Sequence, residues 1–232
     1  MGPTVSEIRP GDDRQTALAL ATSIAAQLTA AILLRGTASM ALSGGRTPAP
    51  LFDALRDCPL AWDKLVIVQV DERWVATDHP DSNNHLIREH LLQGAAAAAR
   101  FVPMKNEATD PYQGQPDCEK SMQGVPRPFD IMLLGMGDDG HTASLFPGAA
   151  ELADGLSTQA MTLAVTPPAA PHPRMTLSLR GLLDSRRIVL QISGAAKEAV
   201  YRLALGAGAV ADMPIRAILR QSQVPVEVWI AD

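Results

Sequence analysis

Short apolar runs alternate along the chain with segments of helical periodicity. The apolar runs predict buried strands at residues 37–42, 65–70, 101–104, 129–134, 161–165, 187–192 and 226–230. The helical segments lie between them, at residues 48–56, 82–92, 111–122 and 195–205. Continuous apolar strands that alternate with helices are typical of parallel sheets covered on both faces. The pattern therefore predicts an α/β fold with a single doubly wound, mainly parallel sheet flanked by helices.

One further helical segment, residues 16–34, precedes the first predicted strand and contains no charged residue. Its length approaches that needed to cross a bilayer. Asp12 and Asp13 can cap this helix, and Gly36 can end it. A one-sided apolar stripe is typical of a helix packed on a soluble core, so we expect no membrane contact. The stripe consists of Leu20, Ile24, Leu28 and Ala31.

The chain has 232 residues and a formal net charge of −5. We expect a single α/β domain over residues 1–232, long enough to bury a substantial core. Lysines and arginines are scattered, which disfavours a nucleic-acid partner but not an anionic small molecule. Cys58 and Cys118 form no Cys-x-x-Cys pair, and residues 1–10 lack the apolar core of a signal peptide. These features favour a cytoplasmic protein.

A glycine-rich turn follows the first predicted strand. Residues 43–48 read Ser-Gly-Gly-Arg-Thr-Pro and open a helix. Glycines let the backbone approach a ligand closely, and free N–H groups at a helix N-terminus attract an anion. A bidentate contact from arginine can strengthen such a site, and an ordinary tight turn is the alternative. The candidate anion ligands in this turn are Ser43, Gly44, Gly45, Arg46 and Thr47.

A second glycine-rich turn follows the predicted strand at residues 129–134. Residues 135–140 read Gly-Met-Gly-Asp-Asp-Gly, which matches the G-x-G-x-x-G pattern of dinucleotide-binding turns. That pattern normally lies on the first strand–helix turn, whereas this one lies past the middle of the chain. It also places Asp138 and Asp139 where a pyrophosphate would bind, and the like charges repel. We therefore expect no dinucleotide.

His141 stands at the end of this second turn, next to two carboxylates. Ligands of open α/β sheets bind where the strands end, and a neutral imidazole can accept a proton near neutral pH. The sequence therefore predicts that His141 is a general base. The alternative is a partly buried histidine whose hydrogen bonds are satisfied within the fold. Thr142 and Ser144, which follow, suit the first turn of a helix.

Charged residues follow other predicted strands. Residues 71–73, Asp-Glu-Arg, come directly after a buried strand, so we expect them to face solvent, a partner or a ligand. Lys197 lies at the start of a helix, and Arg174 follows a proline-rich segment. Both cations are candidates for an anion site, and an ordinary surface position is the alternative for each.

Metal ligation is the weaker interpretation of the polar stretch at residues 78–84. It contains His79 and Asp81, but a polar loop with a helix cap explains the same composition. His85 and His90 do not have the i, i+4 spacing of a helical ligand pair. The sequence also lacks a G-x-S-x-G nucleophile elbow and a P-loop. We therefore expect no metal, and a hydrolase of this sequence would use water activated by a base.

From about residue 40 to the C-terminus, the motifs resemble in order those of the 6-phosphogluconolactonases, within the glucosamine-6-phosphate isomerase/deaminase superfamily. The resemblance rests on residues 43–48, 71–73, 82–83, 135–147 and 174–177. The blocks at 71–73 and 135–147 are the specific ones, because relatives with other activities share the glycine turn at 43–48. Ala76 departs from the proline expected in many members.

The resemblance implies a Rossmann-like fold of the sugar-phosphate isomerase/deaminase type. It also implies hydrolysis of 6-phospho-D-glucono-1,5-lactone to 6-phosphogluconate in the oxidative pentose phosphate pathway, with no metal or organic cofactor. By position, His141 matches the family's proposed general base. The matching site residues are Asp71 and Arg73, and the matching phosphate ligands are Arg174 and Lys197. We further expect Asp71 to orient either His141 or the water.

Two alternatives remain open. An aminosugar-phosphate isomerase/deaminase would share the fold and the glycine turn, but the blocks at 71–73 and 137–144 favour the lactonase. A non-catalytic sugar-phosphate-sensing domain would carry a DNA-binding module, whereas residues 1–36 read as one long helix. We expect a small-molecule sugar-phosphate lactone as partner, no nucleic acid or membrane, and a monomer or weak homodimer.

Overall fold

The computed structural model describes residues 5–45 and 47–232. These residues form the strands β1 (Val5–Gly11), β2 (Ala38–Leu42), β3 (Leu65–Gln69), β4 (Asp71–Arg73), β5 (Arg100–Val102), β6 (Ile131–Leu134), β7 (Thr162–Val165), β8 (Arg174–Leu177), β9 (Ile188–Ser193) and β10 (Val226–Ala231). The helices are α1 (Asp13–Arg35), α2 (Ala49–Arg56), α3 (Asn83–His90), α4 (Pro111–Met122), α5 (Leu152–Ser157), α6 (Leu179–Leu183), α7 (Ala195–Leu205) and α8 (Ile215–Leu219). Short 3-10 helices precede β3 and β5, at Trp62–Lys64 and Gly94–Ala98.

Seven strands form one parallel sheet in the order β1-β10-β9-β6-β2-β3-β5. The central strands β2, β3 and β6 are fully buried, and an apolar core lies on each face of the sheet. Burial on both faces explains why these strands read as nearly continuous apolar runs in the sequence. The predicted doubly wound, mainly parallel sheet is confirmed.

Strand β1 lies at one edge of this sheet, in a segment that the sequence predicted to contain only a helix. It pairs in parallel with β10. Two charged residues, Glu7 and Arg9, interrupt the apolar pattern of this strand. Both are exposed, and both bind side chains of α7. Glu7 accepts hydrogen bonds from Tyr201 and Arg202, and Arg9 pairs with Glu198. An edge strand held by ion pairs carries little apolar signal, which is why the prediction was wrong here.

A second, antiparallel sheet of three strands has the order β4-β8-β7. It adjoins the end of β3, where the N–H of Leu177 donates a hydrogen bond to the carbonyl of Val70. The run at residues 161–165, expected in the main sheet, forms β7 of this sheet instead. The expectation that residues 71–73 all face solvent, a partner or a ligand is wrong for Glu72, whose side chain is fully buried. Asp71 and Glu72 are buried in β4, where burial is possible because their side chains find hydrogen-bond donors.

The buried carboxylate of Glu72 joins β4 to the start of α3. Burial raises the pKa of this carboxyl, although the surrounding hydrogen bonds oppose the shift. Two of the donors are N–H groups at the helix N-terminus, where a negative charge is favoured. Glu72 therefore has a structural role in placing β4 beside the site. Its donors are the side chains of Gln69 and Ser82 and the backbone N–H groups of Arg73, Asn83 and Asn84.

Helix α1 packs against the sheet through the predicted apolar stripe, and Leu20, Ile24, Leu28 and Ala31 are all buried. Its ends are also as predicted. Asp12 caps the N-terminus, and Gly36 ends the helix in a left-handed conformation. By length and composition α1 could cross a membrane, since its mean hydropathy reaches 1.9. The buried stripe is instead typical of a core helix in a soluble protein.

Candidate active site

A cavity of about 330 Å³ opens where β2, β6 and β9 end. The turn after β2, the glycine-rich turn after β6, the start of α7 and the second sheet all contribute walls. This is the position at which open α/β sheets bind ligands. The predicted site residues that line the cavity are Ser43, Gly44, Gly45, Thr47, Asp71, Arg73, His141, Arg174 and Lys197. The remaining predicted residue, Arg46, lies outside the described residues.

His141 is oriented by the carboxylate of Asp139. Oδ1 of Asp139 lies 2.6 Å from Nδ1 of His141 and 3.0 Å from its backbone nitrogen. The imidazole also packs on Phe146, with 4.2 Å between the ring centroids. An ionised carboxylate only accepts hydrogen bonds, so Nδ1 carries the proton and Nε2 keeps a lone pair. A histidine held in this way is prepared to accept a proton at Nε2.

Asp139 is suited to stabilise the charge that His141 gains as a base. Burial raises the pKa of Asp139, but hydrogen bonds from the side chain and backbone of His141 outweigh that effect and leave it below its ordinary value. The carboxylate therefore stays ionised near neutral pH and stabilises an imidazolium beside it. The sequence placed two carboxylates next to His141 without distinguishing them. The signal that could have identified Asp139 is its position two residues before His141 in a tight turn.

Two glycines allow side chains to approach the backbone at this site. A Cβ at Gly137 would lie 2.1 Å from Nδ1 of His141. A Cβ at Gly44 would lie 1.8 Å from Oδ1 of Asn83, whose side chain binds Asp71. Both distances are far below van der Waals contact, so only glycine permits these arrangements.

The segment after His141 is not helical, contrary to the expectation for Thr142 and Ser144. It forms a tight turn with a single bridge between Thr142 and Leu145. The two hydroxyls do not cap a helix because they bind elsewhere. Thr142 donates to the carbonyl of Gly135, and Ser144 donates to Oδ2 of Asp71 at 2.6 Å. The turn thereby ties the glycine-rich loop to β4.

Asp71 is held in a different network from His141. Its carboxylate accepts hydrogen bonds from Ser144 and from Nδ2 of Asn83, and lies 3.8 Å from Nη1 of Arg174. Of the two roles expected for Asp71, orientation of His141 is wrong, because the carboxylate bound to the imidazole is that of Asp139. Orientation of the water stays a prediction. Asp71 instead lines the cavity and faces its buried cation.

Three cations among the described residues line the cavity. The guanidinium of Arg174 is buried, donates to the carbonyls of Pro171 and His172, and lies over the ring of Phe146. Burial lowers the pKa of this guanidinium from its ordinary high value, although Asp71 opposes the shift. The ammonium of Lys197 donates to the carbonyl of Met136 at 2.9 Å. With Arg73, these cations suit an anionic ligand.

Two further polar atoms in the cavity wall are buried without a hydrogen-bond partner among the described residues. They are Nε of Arg73 and Oε1 of Gln191. Buried polar groups are normally paired, so unpaired ones in a cavity are suited to ligand hydroxyls or water. Gln191 lies on β9 inside a buried apolar run, and nothing in the sequence distinguished it as a site residue.

Comparison with known proteins gives a consistent family. The family model described as "Glucosamine-6-phosphate isomerases/6-phosphogluconolactonase" matches residues 11–228. A 6-phosphogluconolactonase of Mesorhizobium japonicum is 43% identical over 222 residues, covering 95% of this chain and 92% of that protein. One from Pseudomonas putida is 40% identical over 220 residues, covering 94% and 89%.

A solved structure gives the same result. The crystal structure of a 6-phosphogluconolactonase from Shewanella baltica superposes with a TM-score of 0.97 at 43% identity, covering 98% of each chain. The similarity in sequence and the similarity in fold therefore indicate the same family over nearly the whole length of the chain. The chain belongs to the glucosamine-6-phosphate isomerase/6-phosphogluconolactonase family.

Proposed function

We propose that this protein is a carboxylic ester hydrolase that converts 6-phospho-D-glucono-1,5-lactone to 6-phosphogluconate, in the oxidative pentose phosphate pathway. Its membership of the family and the names of its most similar relatives support this substrate. The observation that carries the proposal is an imidazole fixed by Asp139 in a cavity that Arg174 and Lys197 also line.

The cations and the glycine turn position the substrate. Its phosphate docks against Arg174, Lys197 and the backbone of Gly44 and Gly45, with Arg46 as a further predicted ligand. Gly44, Gly45, Arg174 and Lys197 line one cavity although they come from separate elements. Binding of the phosphate holds the lactone ring near His141, and a fixed geometry replaces entropy that the reaction would otherwise lose.

Hydrolysis proceeds by general-base catalysis. Nε2 of His141 takes a proton from water as the water oxygen attacks C1 of the lactone. The bond from C1 to the ring oxygen then breaks, and that oxygen receives the proton held by His141. Positioned base catalysis contributes roughly 10²–10⁴-fold. Every step uses side chains of this chain and water, so the reaction needs neither a metal nor an organic cofactor.

The negative charge on the tetrahedral intermediate requires a donor. Arg73 and the backbone N–H groups of the glycine-rich turn are the candidates, and one well-placed donor contributes about 3–4 kcal/mol. Asp71 anchors the cavity wall through Ser144 and Asn83 and does not contact the base. We assign it to positioning of Arg174 and the substrate.

A substrate comparison tests this function. Purified protein is assayed with the 6-phospholactone, with unphosphorylated gluconolactone, and with glucosamine 6-phosphate, with the spontaneous hydrolysis of each lactone subtracted. We expect efficient turnover of the phosphorylated lactone, weak turnover of the unphosphorylated one and no release of ammonia. Ammonia release would support the isomerase/deaminase alternative. Tight binding of sugar phosphate without turnover would support a sensing domain.

We further propose that residues 1–232 act as one domain, as a monomer or weak homodimer in the cytoplasm, without nucleic acid or membrane. The scattered cations, the net charge of −5 and the packing of α1 on the sheet support this setting.

A further inference from the structure

Two histidines and an aspartate meet on the loops that follow β4 and precede β8, outside the residues that line the cavity. The ligand atoms of His79, Asp81 and His172 all lie within 4.8 Å of one another. Nε2 of His172 is 3.0 Å from Oδ2 of Asp81, and Nδ1 of His79 is 3.9 Å from the same oxygen. Zinc binds these ligand types at about 2.0–2.2 Å, so the ligands of a tetrahedral site lie about 3.3–3.5 Å apart. The two distances to Asp81 bracket that spacing.

The ring atoms that face the cluster are suited to bind a cation. Nδ1 of His79 accepts a hydrogen bond from the backbone N–H of Asp81 at 3.0 Å, so this nitrogen is unprotonated, and an ion would replace that hydrogen bond at its lone pair. Nε2 of His172 donates its proton to the carboxylate of Asp81 in a hydrogen bond, and it would release that proton when an ion binds. All three side chains are partly exposed, which gives an ion access and lets the rings adjust.

The backbone at His172 is held in an unusual conformation. Its φ is +68°, in the left-handed region that residues other than glycine seldom adopt. Pro171 and Pro173 flank it, and the carbonyl of Pro173 accepts the N–H of Trp74. Strained residues of this kind concentrate at ligand clamps and other functional sites. Here the conformation brings the imidazole to Asp81 from a loop 91 positions away in sequence.

We propose that His79, Asp81 and His172 form a binding site for a divalent transition-metal ion of the zinc class. Two imidazoles and one carboxylate are a common protein ligand set for Zn²⁺, and three protein ligands leave one position for water or an anion. The inference is independent of the proposed lactone hydrolysis, which routes no step through this site. The sequence favoured a polar loop here because His172 is remote in sequence from the other two ligands.

An ion at this site would join two loops that bear cavity residues. His79 and Asp81 follow β4, which carries Arg73, and His172 precedes β8, which begins at Arg174. Arg73 also donates to the backbone carbonyl of Asp81, so its charge opposes the ion and moderates the affinity. Because the ligands converge only in the folded chain, the ion should raise the unfolding temperature of the native protein.

Isothermal titration of the full chain with ZnCl₂ tests the proposal, and thermal unfolding with and without the ion gives a second readout. We expect one ion per chain and a rise in Tm. The variants Asp81→Asn and His172→Asn should each weaken binding by about tenfold or more and abolish most of the rise. Asparagine tolerates the left-handed backbone at position 172, so that variant should fold. Unfolding of each variant without zinc checks this.

Two control variants locate the bound ion. His85 is a partly exposed histidine on α3 that pairs with Glu89, so His85→Ala should bind zinc as the wild type does. His141→Ala should also retain the ion. Equal affinity in the wild type and both ligand variants would overturn the proposal, as would loss of binding in His141→Ala alone. Equal weakening in His85→Ala and His172→Asn would indicate unspecific surface binding and would also overturn it.

Discussion

Asp139 and His141 form a hydrogen-bonded pair in which one carboxylate oxygen accepts from both the ring and the backbone of the histidine. The pair lies on one tight turn, so its geometry does not depend on distant elements. This arrangement selects the tautomer with Nε2 unprotonated and supplies a negative charge behind the ring.

The variant Asp139→Asn tests the importance of that charge. An asparagine can present its amide to Nδ1 and favour the wrong tautomer, and it cannot stabilise an imidazolium. We expect kcat to fall on the order of 10²-fold or more with little change in KM. Steady-state kinetics on the phosphorylated lactone measure both constants. An unchanged kcat would show that the pair is structural.

The neighbouring residue Asp138 competes with the substrate phosphate for Lys197. Its exposed carboxylate lies 2.7 Å from Nζ of Lys197, the position that a substrate phosphate would take. Asp138→Asn should therefore tighten inhibition by inorganic phosphate, by no more than about fivefold because an exposed ion pair is weak. Competitive inhibition constants measure the effect. Weaker inhibition in the variant would mean that Asp138 helps to hold the anion.

Removal of the phosphate ligands should affect binding more than turnover. We expect Lys197→Ala and Arg174→Ala each to raise KM and to weaken inhibition by inorganic phosphate, because each variant removes a charge-assisted contact. Lys64→Ala removes an exposed lysine that pairs with Asp63, and serves as the matched control. If phosphate inhibits the wild type and all variants equally, the docking scheme is wrong.

Glycine at position 137 is required by the position of the base. A Cβ there would overlap Nδ1 of His141, so Gly137→Ala should displace the imidazole and lower kcat by about 10-fold or more. Gly135 lies in the same turn. A Cβ added at Gly135 would lie 3.7 Å from Oγ of Ser43, which is an ordinary van der Waals distance. Gly135→Ala should therefore retain most activity. Similar kcat values for the two variants would contradict the steric argument.

Much of the fold was predictable because the central strands are buried on both faces and so are apolar at nearly every position. The polar strand β4 was not, because it is stabilised by β8, about a hundred residues later, and by hydrogen bonds to Glu72. Edge strand β1 was missed for a similar reason, since ion pairs to α7 replace apolar burial.

The sequence indicated most of the charged and glycine residues that line the cavity, but it did not indicate Gln191 or which side chains pair with each other. Glycine turns and isolated charges at strand ends indicated which residues gather at one edge of the sheet. Which carboxylate orients His141 depends on turn geometry, and the sequence offered Asp71 as an orienting group for either His141 or the water without assigning Asp139 a role. The ion pair between Lys197 and Asp138 and the approach of His172 to Asp81 likewise depend on contacts between remote segments.

The kcat of His141→Ala on 6-phospho-D-glucono-1,5-lactone, with spontaneous hydrolysis subtracted, tests the central claim most directly. If Nε2 of His141 activates water, the variant should lose roughly 10²–10⁴-fold in kcat while KM changes little. A kcat equal to that of the wild type, in a variant that unfolds at the same temperature, would contradict the mechanism.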